Sequence, residues 1–205
     1  MSGDPLDFDH IHDSFRTKIL RYLTHMVGQR DAEDLTQEVF LKVNQALNTF
    51  RGDSQLSTWI YRIATNAALD RLRSPSFRQA GQKSLSEEPD SEAEFKDQNA
   101  WTGEDVASAE TSAIRQEMND CIQGIVDKLP ENYRTVTILS ELEGFKNDEI
   151  AEILGISIES VKIRLHRARS RLKEELEKAC QFYRDERNEF ACDRKQLIQL
   201  KKTNQ

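Results

Sequence analysis

Apolar residues recur at helical spacing through the first third of the chain. Phe15, Ile19, Leu23 and Val27 form one run, Ala32, Leu35, Val39, Val43 and Leu47 a second, and Leu56, Ile60, Ile63 and Ala67 a third. The pattern breaks near Gly28 and at Arg51-Gly52-Asp53-Ser54, where glycine and short polar side chains favour turns. A compact helical bundle is predicted from about Phe8 to Ser74. Between residues 75 and 110 the periodicity disappears. Pro75, Gly81, Pro89 and Gly103 interrupt a Ser- and Gln-rich stretch with an acidic run from Glu87 to Glu94, which predicts a flexible acidic linker. Two readings of its charge stay open: a solvated spacer, or a mimic of nucleic acid inside a partner's basic channel.

Periodicity resumes with Ile114, Met118, Ile122 and Ile125. Pro130 suits the first turn of a helix carrying Val136, Leu139 and Leu142, closed by Gly144, and two shorter helices follow with Gly155 between them. The expected fold is therefore all-α: two small helical domains, 8–74 and 111–176, joined by the linker 75–110. Residues 177–205 read as a charged helical C-terminal extension.

Composition narrows the function classes. The 205 residues have no apolar stretch of membrane-spanning length, and Met1-Ser2-Gly3-Asp4-Pro5 is unlike a signal peptide. Cys121, Cys180 and Cys192 are too few for a disulfide framework, so a cytoplasmic protein without membrane insertion is expected. The net charge of −7 argues against tight binding to nucleic acid by the chain alone. It leaves room for a local basic surface held on DNA by a larger partner.

Such a surface is present. In the segment from Asn147 to Val161, Ala151 is small where two helices would cross, Gly155 permits a left-handed turn, and Ser157 is a natural N-cap. This is helix-turn-helix spacing, which frees the second helix to enter a major groove. That helix collects Lys162, Arg164, His166, Arg167, Arg169, Arg171 and Lys173, while Val161, Leu165, Ala168 and Leu172 form its apolar stripe.

A second exposed face is expected where Trp59, Arg62, Asn66 and Arg73 fall opposite Ile60, Ile63 and Ala67. A ring, a cation and an amide together suit unstacked bases, with Phe50-Arg51-Gly52-Asp53-Ser54 as a pocket wall. Trp59 fits a stacking platform and partly buried core equally well. Asp31, Glu33, Asp34, Gln37 and Glu38 flank Leu35 and Phe40 on the second helix. No histidine or further carboxylate cluster completes a metal or acid–base site there. Docking on a basic partner explains this acidic face better than an enzyme does, and no cofactor or metal is expected. A conventional helix-turn-helix regulator would leave the acidic helix and the Trp59–Asn66 face without purpose.

Taken in order, these segments resemble the extracytoplasmic-function group of sigma-70 family RNA polymerase sigma factors. Arg30 to Phe40 is similar to the segment that grips the polymerase clamp helices. Phe50 to Ser54 with Ser57 to Asn66 is similar to the −10 reading and melting segment. Leu129 to Arg134 with Ser160 to Arg169 is similar to the −35 domain. The resemblance covers Phe8 to Leu176 apart from the linker. It implies sigma domains two and four, binding to core RNA polymerase at its clamp helices and flap, promoter DNA as ligand, and an anti-sigma factor as regulator. It assigns −10 contacts to Phe50, Arg51, Thr58, Trp59, Arg62 and Asn66, and −35 contacts to Ser160, Lys162, Arg164, His166 and Arg167. Polymerase contacts fall to Asp31, Asp34, Leu35, Gln37 and Glu38. Ile163 departs from the small polar residue common at its position. Cys180 and Cys192 lie beyond the usual end of the family, where a redox or metal sensor is an alternative to a plain helix, although zinc wants four ligands.

Overall fold

The computed structural model describes residues 7–75, 77, 122–184 and 190–194. The acidic run, Cys121, Ile114 and Met118, and most of the linker lie outside the described residues.

Helix α1 (Phe8–Val27) begins where the Asp7 carboxylate accepts from the Asp9 N–H at 3.3 Å. It ends at Gly28, whose φ of 85° turns the chain directly into α2 (Gln29–Ala46). A 3₁₀ turn (Leu47–Thr49) and the Phe50–Gln55 loop lead into α3 (Leu56–Arg73). The three helices close on one another through Ile19, Tyr22, Leu23, Leu35, Val39, Val43, Ile60, Ala64 and Ala68, all buried. The small alanines of α3 allow the close approach. Thr65 donates to the Tyr61 carbonyl at 2.6 Å, so its hydroxyl proton is committed and Tyr22 must be the donor in their 2.8 Å bond.

The second unit starts with a helical stretch at 122–126. Pro130 stands at the N-cap of α4 (Glu131–Thr137), one position earlier than the sequence suggests, and α4 widens into a π-helical turn (Ile138–Leu142) before Gly144. Helix α5 (Asn147–Leu154) and α6 (Ile158–Ala179) meet at Gly155, which adopts φ 63° and ψ 37°. The expectation of two short helices holds only for α5, because α6 runs for 22 residues. Val136, Ile138, Leu139, Ile150, Ile153, Val161 and Leu165 form the core of this unit.

The helical units match the all-α expectation, but the extension does not continue as a helix. Strands β1 (Cys180–Arg184) and β2 (Phe190–Arg194) pair antiparallel, with Phe182 opposite Cys192. The apolar period of α6 fades after Leu176, and the adjacent aromatics Phe182 and Tyr183 favour extended backbone. Cys180 and Cys192 thus share one face of a two-stranded ribbon.

The two units touch. Helix α3 packs against α5 as well as against α1 and α2, and the buried apolar residues of both units are continuous.

A β-carbon at Gly155 would meet only the Arg62 Nη2, at 3.9 Å, so space is available. The cost of Gly155→Ala is the left-handed backbone. It should lower stability by about 1 kcal/mol in a thermal melt, with helical content retained.

Candidate nucleic-acid interface

Ser157 caps α6 by accepting from the Ser160 N–H at 3.2 Å, and its hydroxyl donates to the Ser160 Oγ at 3.0 Å. Val161, Leu165 and Ala168 are buried beneath the helix, which turns the intervening positions outward. The basic residues then divide into two groups. Arg169 forks onto Glu141 at 2.7 and 3.2 Å, and Arg171 lies over the Tyr133 ring at 5.3 Å, so both brace α6 against the rest of its unit. Lys162, His166 and Arg167 are exposed and make no ion pair among the described residues, while Arg164 is half-buried. Lys162, His166 and Arg169 line one shallow groove with Asn147 and Lys173. Ile163 stands 52% exposed between Lys162 and Arg164. It gives the outer surface of α6 a branched apolar side chain in place of a hydroxyl.

On α3, Arg62 and Asn66 are exposed one turn apart. Trp59 is half-buried with its ring 5.1 Å from Phe50, so it serves as packing and presents an edge at once. Arg51 is exposed on the loop before the helix. Two assignments need correction. Thr58 is 1% exposed, on the inward side of α3 with Tyr61 and Thr65, so it is not part of the exposed face of this structure. Arg73, placed on the same face by spacing, is tied to Glu131 of α4 at 2.7 Å.

On α2, Asp34, Gln37 and Glu38 are exposed. Leu35 is 1% exposed and belongs to the core with Val39, so it is not part of a docking surface. Leu41, one turn past Gln37, is 62% exposed on the same side of the helix as Asp34 and Gln37. Arg71 on α3 reaches across to both carboxylates, Asp31 at 3.0 Å and Glu38 at 3.1 Å, and nothing in the sequence spacing announces it. Asp31 is therefore split from Glu33 and Asp34, which undoes the carboxylate cluster.

Two family patterns match the chain: Sigma-70 region 2 over residues 11–77 and Sigma-70 region 4 over residues 119–172. RNA polymerase sigma-H factor of Pseudomonas aeruginosa is 33% identical over 180 residues, covering 85% of this chain and 89% of that protein. ECF RNA polymerase sigma factor SigW of Bacillus subtilis is 33% identical over 178 residues, covering 85% and 91%. The chain belongs to the extracytoplasmic-function group of the sigma-70 family. Solved structures share the fold of this sigma factor. Sigma factor RpoE of Bartonella quintana, in complex with the anti-sigma factor NepR, has a TM-score of 0.60 at 23% identity over 83% of this chain and 97% of that one. CnrH in complex with the cytosolic domain of CnrY has a TM-score of 0.58 at 21% identity over 85% and 90%.

The protein is thus an RNA polymerase sigma factor, a transcription-initiation factor. Sequence reading did not find the polar cluster at its centre. The Glu143 side chain is 2% exposed; its Oε2 accepts from Tyr61 Oη at 2.5 Å and pairs with Arg21 at 3.2 Å. Burial, and after it the Glu143 charge, hold the Tyr61 hydroxyl far above the usual phenol range, so it stays a donor. A glutamate beside a glycine gives no sign of burial in a sequence.

The Arg71 fork joins α3 to the exposed side of α2. Arg71→Ala should lower stability by about 1 kcal/mol, since all three groups remain partly in water. Arg71→Lys should recover only part of this, because an ammonium cannot fork. A double-mutant cycle with Asp31→Asn, read by urea unfolding, would give no coupling if the fork contributes nothing.

Proposed function

We propose that this sigma factor docks on core polymerase through the exposed side of α2, reads the −35 element as duplex with α6, and reads the −10 element as a separated strand with α3. The carrying observation is that a capped helix-turn-helix presents Lys162, His166 and Arg167 outward on α6 with no acidic partner among the described residues. The face of α3 supports the second half of the reading: Arg62 and Asn66 stand exposed beside the Phe50–Trp59 ring pair. Ser160 contributes at the start of α6, where its hydroxyl retains a proton to donate, and Arg164 contributes from a half-buried stem. Asp34, Gln37 and Leu41, with Asp31 and Glu38 held by Arg71, form the polymerase face, matching an acidic and apolar strip to a basic partner. No helix among the described residues is long and apolar enough to cross a membrane. Work beside polymerase puts the factor in the cytoplasm, and an anti-sigma factor is its expected regulator, RpoE of Bartonella quintana having been solved in complex with one.

Docking is tested by Asp34→Lys, an exposed site without an ion pair among the described residues. Co-purification with core should fall at least about tenfold, a change of about 1.4 kcal/mol, with unchanged circular dichroism. Normal co-purification would reject the α2 face.

The two readers should fail differently. Lys162→Ala or Arg167→Ala should weaken closed complexes, by about 1–3 kcal/mol where a base edge is contacted. Asn66→Ala should impair opening on duplex promoters, with partial recovery on a template pre-melted at −10, because melting is supplied and the base contact is not. Permanganate footprinting separates the two. An Asn66→Ala holoenzyme that melts duplex promoters normally would place the −10 reader elsewhere.

A further inference from the structure

The side chain of α6 that points most directly away from its core is apolar. Ile163 lies two residues after Val161 and two before Leu165, both buried. At about 100° per residue it therefore stands about 200° around the helix from each of them, at the outward pole of α6. It is 52% exposed there. Its chain neighbours Lys162 and Arg164 project about 100° to either side of it. One turn on, the exposed His166 and Arg167 flank the same pole, and beyond them the Ser170 hydroxyl donates back to the His166 carbonyl at 3.1 Å. Glu159, exposed one turn earlier, is the acidic residue on this side. A single exposed isoleucine is ordinary on a protein surface. One set at the pole of a helix between cations is accounted for neither by packing nor by solvation.

The geometry of duplex DNA gives that pole a meaning. A helix with its side chains is about 10–12 Å across, and the major groove is about 12 Å wide. A helix seated in the groove meets phosphates with the side chains on its flanks and base edges with the side chain at its pole. On α6 the flanks are cationic, and the pole can make no hydrogen bond. Against the donors and acceptors of guanine, adenine or cytosine, Ile163 would strip water from a polar edge without supplying a partner. Of the four bases, thymine alone carries a methyl group on its major-groove edge, at C5. An isoleucine and that methyl shield each other from water.

We propose that Ile163 is a specificity-determining residue: it forms a subsite for the C5-methyl group of a thymine in the −35 element, and so selects thymine at one position of that element. The inference deepens the assignment of α6 as the duplex reader and rests on it. Lys162, Arg164 and Arg167 seat the helix through phosphates or neighbouring base edges, and the methyl contact chooses the base beneath the pole.

The test removes the methyl group and nothing else. The full-length sigma factor is assembled with core polymerase, and its −35 element is located by footprinting on a promoter duplex that the wild-type holoenzyme recognises. Each thymine of the element is then replaced in turn by deoxyuridine, and the affinity of the closed complex is measured by competition. Wild-type holoenzyme should bind about fourfold more weakly when one particular thymine is replaced, the effect of burying one methyl group. Ile163→Ser, at an exposed position and with similar helix propensity, should bind the thymine duplex more weakly and should not distinguish it from the deoxyuridine duplex. Ile163→Val, which keeps a branched apolar side chain, should retain part of the discrimination. An element without thymine, a wild-type series that is flat, or an Ile163→Ser holoenzyme that discriminates as wild type does would each overturn the subsite. Lys162→Ala and Arg167→Ala holoenzymes are measured alongside. If both form closed complexes like wild type, α6 is not the duplex reader and the inference falls with that assignment. If both are impaired while the deoxyuridine series is flat, the reader stands and the methyl subsite alone is refuted.

Discussion

Helix α3 is packed by three other helices, and most of what the molecule can do follows from what is left of its surface. Helices α1 and α2 take one flank through Ile60, Ala64, Ala67 and Ala68, and α5 takes another beside Tyr61. The remaining strip carries Arg62 and Asn66, with Trp59 at its edge. Thr58 and Thr65 are turned inward by the same packing. A strip this narrow suits a single strand of separated bases better than a duplex, because an amide and a cation one turn apart meet one backbone at a time. At the C-terminal end of the helix, Arg71 turns back to Asp31 and Glu38, so the same helix that bears the exposed strip also ties down the acidic side of α2.

Charge distribution explains why such a chain depends on a larger partner. Its net charge is −7, and of the basic residues on α6 only Lys162, His166 and Arg167 stand exposed and outside any ion pair or ring contact among the described residues. Non-specific binding by a few phosphate contacts sits at about 10⁻⁴–10⁻⁶ M in physiological salt. Arg169 and Arg171, which sequence counting adds to the DNA face, are spent on Glu141 and Tyr133. On the proposed reading, most of the affinity for a promoter would come from polymerase.

The sequence revealed elements more reliably than side-chain roles. Helix periodicity located α1, α2, α3 and α5, because each buries one stripe against a neighbour, and Gly28 and Gly155 marked the turns because only glycine meets those φ values without strain. The helix-turn-helix and its basic helix were legible for the same reason. What failed was local spacing used as a proxy for direction. Leu35 and Thr58 lie within runs of functional residues and point into the core, while Leu41 lies outside the run and points out. Arg71 and Glu143 act through partners 33 to 122 positions away, a relation no local pattern encodes. The extension was read as helical from its charge, yet Phe182 and Tyr183 pair it into a ribbon whose register depends on a second segment.

The contact between the units differs in kind from the cores within them. Unfolding the first unit exposes Ile19, Leu23, Leu35, Val39 and Ile60, each contributing about 1.5–3 kcal/mol by burial. Parting the units returns Glu143 to water, relieves Oε1 of a desolvation cost of about 1–3 kcal/mol, and forfeits a ring contact of about 0.5–1.5 kcal/mol between Tyr61 and Phe145. A buried ion pair nearly cancels against its own dehydration, so the polar centre of this contact adds less to it than the apolar residues continuous between the units.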